Sequence, residues 1–590
     1  MSYPRPSSCF KGLSSFKGLA APILALTAAF GLCACASAPP AAPGDVASTV
    51  TQAPPEDRSP FGLFLAGEAA LDNDANQDAA QYFARADRED QDALIRQKAF
   101  LAAVAAGDVD KAAALAAGVG GDVSGGVPRL GRLVQAVSDL AGGRGKDAYA
   151  ILSKDAGGFA YVDGYQLLKP WAALAAGDGA HAVMLPDTQG QKLNRMAAVL
   201  SRSLIDERLH RFDEAEAGYK TLTANAQLGV FYVLSYGAYL ERRARADDAE
   251  ALYKKYLAKI PEDRDLQSAL TRVMERRPAP PMPTIAAGAG RALTSAAELA
   301  LVQRSVEEGE IYLRLGLKLD PTNDEAWLLL GDVEAAADRY PQARDDYARV
   351  SPASTTAIEA RERIITSYEN AGDHDTALTL ARELAKAAPE DRGALLILAE
   401  TLRGKEQYEE SAQVLAHVMD ADPADEDWTL YFLRGTALSE AGHWAEGERD
   451  LLKALSLQPD QPDVLNYLGY TWVEKNERLE QAMAMLQKAS TAEPESGEIA
   501  DSLGWAYYHL GDYHSAVLNL ERAVSFNAVS PEINDHLGDA YWQVGRKTEA
   551  QYQWRRVLSL QPAPELKAAT EKKLSLGLDM PVAPPSVARG

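Results

Sequence analysis

Cysteine is nearly absent. Of 590 residues three are cysteine, and Cys35 is the last of them, so the chain beyond it has no disulfide, no thiolate nucleophile and no sulfur ligand for a metal. Histidine is scarce at 8 residues, and aromatics make up only 7%. Positive charge is short as well: 60 Lys and Arg face 84 Asp and Glu, a net charge of −24, which disfavours binding to phosphate backbones and argues against a nucleic-acid partner. Catalytic signatures are also missing. Gly145-Lys146, the nearest approach to a phosphate loop, is followed by Asp147 and so lacks the hydroxyl that would ligate magnesium. The glycines of 118–126 have Val123 where a dinucleotide loop needs a third glycine. There is no His-Glu-x-x-His pair and no Gly-x-Ser-x-Gly elbow. His509 and His514 are five apart, whereas a metal pair on one helix face wants three or four; with His536 they read as solvated or hydrogen-bonded surface histidines. Asp345-Asp346 and Glu409-Glu410 read as solvated helix faces. No enzyme, metal site or cofactor is expected.

What is present begins with an address. Lys11 and Lys17 precede an apolar run from Leu19 to Leu32, too short to span a bilayer comfortably but the right length for the core of a signal peptide. It ends Leu32-Cys33-Ala34-Cys35. This resembles the bacterial lipobox, with Leu32 at −3, Ala34 at −1 and Cys35 at +1; the resemblance implies removal of 1–34 and lipidation of Cys35. Cys33 fits less well, since Leu32 would stand where a small residue is expected. Residues 1–34 hold three cations (Arg5, Lys11, Lys17) and no acid, so the remainder carries −27 against −24 for the whole chain. A body that acidic is unsuited to holding anionic lipid by charge, which leaves membrane attachment to the acyl chains. Position +2 is Ala36 rather than Asp, and in such lipoproteins this implies the outer membrane, on its periplasmic face. Residues 35–59, rich in proline and alanine, read as a lipid-anchored tether.

The rest repeats. Gly435, Gly469, Gly504 and Gly538 are spaced 34, 35 and 34 residues apart in matching contexts: Leu465-Asn-Tyr-Leu-Gly-Tyr-Thr-Trp472, Ala500-Asp-Ser-Leu-Gly-Trp-Ala-Tyr507 and Asn534-Asp-His-Leu-Gly-Asp-Ala-Tyr541. A small residue follows at Gly447, Ala482, Ala516 and Ala550, then a bulky one at Leu451, Leu486, Leu520 and Trp554. Pro459, Pro494 and Pro562 close three of the four units, with Ala528 as the exception. Small residues let two antiparallel helices approach, bulky ones fill the seam, and proline stops the second helix.

This resembles the tetratricopeptide repeat (TPR), and seven units are legible between about 324 and 563. Upstream the pattern is degenerate. Gly67, Ala79 and Phe83 form one unit, and Gly237, Ala249 and Tyr253 another; 118–200 should hold irregular helical hairpins. Arg276-Arg-Pro-Ala-Pro-Pro-Met-Pro283 with Ala286-Ala-Gly-Ala-Gly290 breaks the helical pattern. The expected fold is an all-α solenoid in two segments after a lipoprotein signal peptide: 60–275 degenerate repeats, 276–290 linker, 291–576 TPR array and 577–590 disordered tail. The length alone would suggest about four domains, but repeat stacks grow without splitting.

In TPR proteins the first helix of each hairpin lines a concave groove. Carried onto the last three units, the resemblance implies groove positions that include Asn466, Tyr470 and Glu474; Asp501, Trp505, Tyr508 and His509; and Asp535, Asp539, Trp542 and Gln543. Two roles are open to Tyr470, Trp505, Tyr508 and Trp542: anchors for a partner peptide, or packing between hairpins. The interleaved carboxylates favour a peptide of basic or backbone-donor character. The layout also resembles large proteobacterial outer-membrane TPR lipoproteins, one kind of which is the adaptor of a periplasmic carboxyl-terminal processing protease that degrades peptidoglycan hydrolases. That resemblance implies a non-enzymatic scaffold with such a protease as partner. The alternatives are an accessory role in polysaccharide export or outer-membrane assembly and, last, an unrecognised enzyme.

Overall fold

The computed structural model describes residues 59–578 apart from 74, 91, 118–125, 155–159, 187–191, 225–229, 262 and 422–425. The leader, Cys35, the tether to residue 58 and the tail from 579 lie outside the described residues. Among the described residues there are thirty α-helices and no strand, so the fold is all-α: successive antiparallel helical hairpins stacked in a solenoid.

Two local devices recur in the hairpins. The turn between paired helices uses a residue in the left-handed region, which glycine occupies at lowest cost: Gly442 has φ 89° and Gly511 φ 78°. The second device is close approach. A Cβ on Gly538 would lie 2.5 Å from the Trp554 ring, and one on Gly237 would lie 2.2 Å from Tyr253. The glycine and the bulky residue of the repeat pattern are therefore the two halves of one contact, made across the hairpin.

The chain divides into two compact units between Ala371 and Gly372. In the first, one continuous core runs from Ala79 to Val333. Its organiser is Ile285–Val302, which packs on the next helix, Val306–Leu319, and also on Val162–Ala175 and Lys192–Arg208. This helix opens inside the 276–290 stretch, at the alanines and glycines read from sequence as a break. Trp171 covers Gly288 and the Gly316 carbonyl lies against Gly290, so these glycines serve close helix packing. The proline run ahead of it is held inside the unit: Arg242 Nη1 donates to the Pro280 carbonyl at 3.2 Å, and Arg208 donates to that of Pro283.

The expected hairpins of 118–200 are irregular: Gly126–Ala141 pairs with the shorter Gly145–Ser153, and Val162–Ala175 is followed by the four-residue Gly179–Ala182. In the second unit the hairpins run regularly to a last single helix, Pro564–Leu576, and the described core is a series of smaller clusters.

Candidate protein-binding face

Four helices of the second unit carry the site: Pro462–Glu474, Gly497–His509, Pro531–Gln543 and Pro564–Leu576. Trp505 is half-buried at its centre. Tyr508 stacks at 4.7 Å with ring planes 7° apart, and His536 stacks at 3.9 Å and 17°. These two rings make no contact with each other, so they cover opposite faces of the indole. Its N–H donates to Glu474 Oε1 at 2.9 Å, and His509 Nε2 lies 3.2 Å from the same oxygen. The His509 bond holds the Glu474 carboxyl below its ordinary range despite partial burial. Trp505 thus offers a partner an edge rather than a stacking face.

His536 is hydrogen-bonded, one of the two readings open to it, but half-buried rather than on the surface. Its Nδ1 lies 3.0 Å from both oxygens of Asp501, and the side chain is 18% exposed. Burial works against its charge, but the carboxylates of Asp501, Asp535 and Asp539 raise its pKa above the ordinary 6.5.

Asp535 and Asp539 are buried rather than open. Lys573 places Nζ 2.6 Å from Asp535 and 2.8 Å from Asp539; Thr570 donates to Asp535 at 3.3 Å and the Trp554 indole to Asp539 at 2.9 Å. Burial pushes the Asp539 carboxyl up to about 6 against the pull of Lys573. Gln543 donates to the Tyr508 hydroxyl at 3.3 Å. Trp542 lies 5.3 Å from Trp554, and a Cβ on Gly577 would lie 2.2 Å from its ring, so the end of the last helix crosses it.

The structure therefore joins Asp501, Trp505, Tyr508, His509, Asp535, Asp539, Trp542 and Gln543 through contacts that also use Glu474, His536, Thr570 and Lys573. Asn466 and Tyr470 stand a repeat earlier. Asn466 is buried with Oδ1 unpaired, and Tyr470 is half-buried against the cluster of Phe432 and Trp472. Among the described residues no group of His, Cys, Asp and Glu is arranged to hold a metal ion.

Sequence reading missed a rung that recurs between hairpins: an acid on a first helix, a Tyr or Trp on its second helix, and a cation on the next first helix. Glu207 takes Tyr219 (3.3 Å) and Nε and Nη2 of Arg242 (2.7 and 2.8 Å). Glu241 takes Tyr253 (2.7 Å) and Arg272 (3.0 and 2.8 Å). Asp332 takes Tyr347 (2.8 Å) and Arg363. Asp539, Trp554 and Lys573 repeat it at the end of the array. The signal in the sequence is an aromatic 12 to 15 residues after the acid and a cation 31 to 35 after it.

Two carboxylates on this side stand outside any such rung. Burial raises the pKa of Asp463, and burial followed by repulsion from Asp463 raises that of Glu493. Asp463 accepts from Gln461 at 3.2 Å, and among the described residues neither acid has a cation within ion-pair distance.

Comparison with known proteins follows the same stretch. Residues 294–357, 363–426, 432–496 and 498–529 match tetratricopeptide repeat family models. A TPR repeat-containing protein of Pseudomonas aeruginosa is 30% identical over 204 residues, 34% of this chain and 34% of that protein, so the match spans about a third of the relative's length. Among solved structures, the APC/C hetero-tetramer Cut9–Hcn1 is 14% identical over 88% of this chain and 96% of that chain, at a TM-score of 0.38. Yeast Tom70 is 12% identical over 88% and 95%, at 0.29. MamA is 23% identical over 28% and 96%, at 0.25. Residues 294–529 of this chain are tetratricopeptide repeats.

Proposed function

We propose that the protein is a non-enzymatic adaptor of the bacterial envelope. It is lipidated at Cys35 and faces the periplasm from the outer membrane. There it gathers a carboxyl-terminal processing protease and the cell-wall hydrolases that protease degrades. Tetratricopeptide repeats are generally protein-binding scaffolds and no catalytic family is indicated, which supports the general reading. The anchor and the protease rest on the resemblances of the leader and of the terminal repeats.

The observation that carries partner binding is the uncompensated pair Asp463 and Glu493. Every rung acid described above has its own cation; these two have none, burial raises the cost of ionising each, and Asp463 adds repulsion to Glu493. An arginine or lysine from a partner would relieve that cost, so the segment bound there is basic.

Affinity capture from solubilised envelope, with the full chain as bait and mass spectrometry as readout, tests this. A processing protease should be captured by the parent and lost by the folded Asp463→Lys/Glu493→Lys variant. Capture that survives both substitutions moves the binding site elsewhere. Failure to capture any protease or hydrolase removes the adaptor reading.

A further inference from the structure

The first described hairpin carries exposed apolar side chains on its outer face. Pro60–Asp72 packs on Asn76–Glu89, burying Leu63 and Gly67. Its opposite stripe is Phe61, Leu65 and Ala69, spaced by four. Phe61 is 70% exposed and Leu65 51%. Leu94 opens the third helix, 55% exposed, at the same end of the hairpin: its neighbour Ile95 shares a buried cluster with Leu63 and Ala86. Two large apolar side chains one turn apart, with a third at the same end of the hairpin, are costly to leave in water. The nearest ionic groups on the helix are satisfied inward, Glu68 pairing with Lys98 at 3.0 Å.

We propose that this end of the solenoid rests on the lipid surface, with Phe61, Leu65 and Leu94 seated among the headgroups. The inference builds on the lipid anchor at Cys35 of the preceding section. What identifies the occupant is where the chain enters. Pro60 begins the first helix, and only residues 36–59 separate it from Cys35. Those 24 residues can extend no further than about 80 Å. The apolar stripe is therefore the part of the folded body tied closest to the bilayer, where a high effective concentration lets a small patch bind.

The charge around the patch says which lipid. Glu89, Asp90 and Asp92 precede Leu94 and outnumber the exposed Arg88, so anionic headgroups are repelled and zwitterionic ones accepted. Attachment should be apolar and insensitive to salt.

The test exploits the missing cysteines. The processed chain holds only Cys35, which the lipid blocks, so Leu65→Cys, Leu94→Cys and Leu518→Cys each add a unique thiol. Leu518 is 69% exposed on a helix of the second unit and serves as control. Each full-length acylated variant is labelled with an environment-sensitive dye and reconstituted on phosphatidylethanolamine–phosphatidylcholine vesicles. The expected result is a blue-shifted, brighter emission at 65 and 94, unchanged at 518, and the same in low and high salt. Acylated protein that floats with the vesicles but shows no shift at 65 and 94 overturns the docking while leaving the anchor intact. A shift at all three positions, or one that requires anionic lipid, also overturns it. A chain without acyl mass at Cys35 that does not float removes the anchor itself, and the docking with it.

Discussion

At the scale of single residues, the rungs show how an acidic chain keeps carboxylates inside its hairpins. The Glu241 side chain is 5% exposed and is held by Tyr253 and by both arms of Arg272. Glu241→Ala leaves a half-buried guanidinium and the Tyr253 hydroxyl without their acceptor and should cost about 2 kcal/mol in urea unfolding of the first unit. The double change Glu241→Leu/Arg272→Leu removes both charges and should lie much closer to the parent; equal losses would show that the rung acts only as filler. Asp346 has the opposite character. Burial pushes its carboxyl up to about 7 against the attraction of Arg314. The folded state then holds a proton that the unfolded state has released, so stability falls as pH rises from about 4 to about 7. Asp346→Asn should flatten that slope in thermal melts across the window, and an unchanged slope would assign it to other groups. Backbone conformation gives a third expectation. Ala244 is exposed with φ 59°, in the turn position that other hairpins fill with glycine. Ala244→Gly should raise stability by about 1 kcal/mol, seen as a higher denaturation midpoint; a lower midpoint would contradict the strain argument.

At the scale of helices, the last one is held by charge. Pro564–Leu576 ends the array, and Lys573 lies between Asp535 and Asp539 at 7% side-chain exposure. Lys573→Ala leaves two buried acids facing each other. Hydrogen exchange in Pro531–Gln543 and Lys547–Ser559 should then rise together, while helices nearer residue 372 keep their protection. His536 adds a pH dependence of known sign. Its folded pKa is raised, so its stabilisation is complete below about 6.5 and fades as pH climbs through the higher folded value. Exchange in the same helices should accelerate on that rise, and His536→Gln should remove the step. Which helices were legible follows from their chemistry. The glycine–bulky contacts of the last repeats recur at constant spacing, so the hairpins could be read. Ile285–Val302 could not, because Ala286-Ala-Gly-Ala-Gly290 looks like a break until Trp171 and Gly316 are seen against it. The site divided in the same way. Positions on one helix followed from period, but Lys573, and the two-sided stacking of Trp505 on Tyr508 and His536, depend on side chains from different helices meeting. No single window of sequence displays that.

At the scale of the whole molecule, the two compact units have separate cores, one continuous and one in clusters. A single unfolding transition is therefore not expected, and substitutions should sort by unit. Gly288→Val drives a branched side chain into Trp171 and should lower the transition of the first unit alone. Lys573→Ala should lower that of the second. Binding is expected to follow a property that both units share. The chain carries a net charge of −24, and the proposed contact is a basic segment on Asp463 and Glu493. The overall field speeds encounter with such a segment and is screened over about 10 Å at 0.1 M salt, whereas the two local acids act at contact. Raising ionic strength should therefore slow association strongly and change dissociation little. Asp463→Lys/Glu493→Lys should instead speed dissociation at every salt concentration. Surface-plasmon kinetics of the captured partner on the full chain separates the two, and a partner whose association ignores salt would not be the basic one that these carboxylates select.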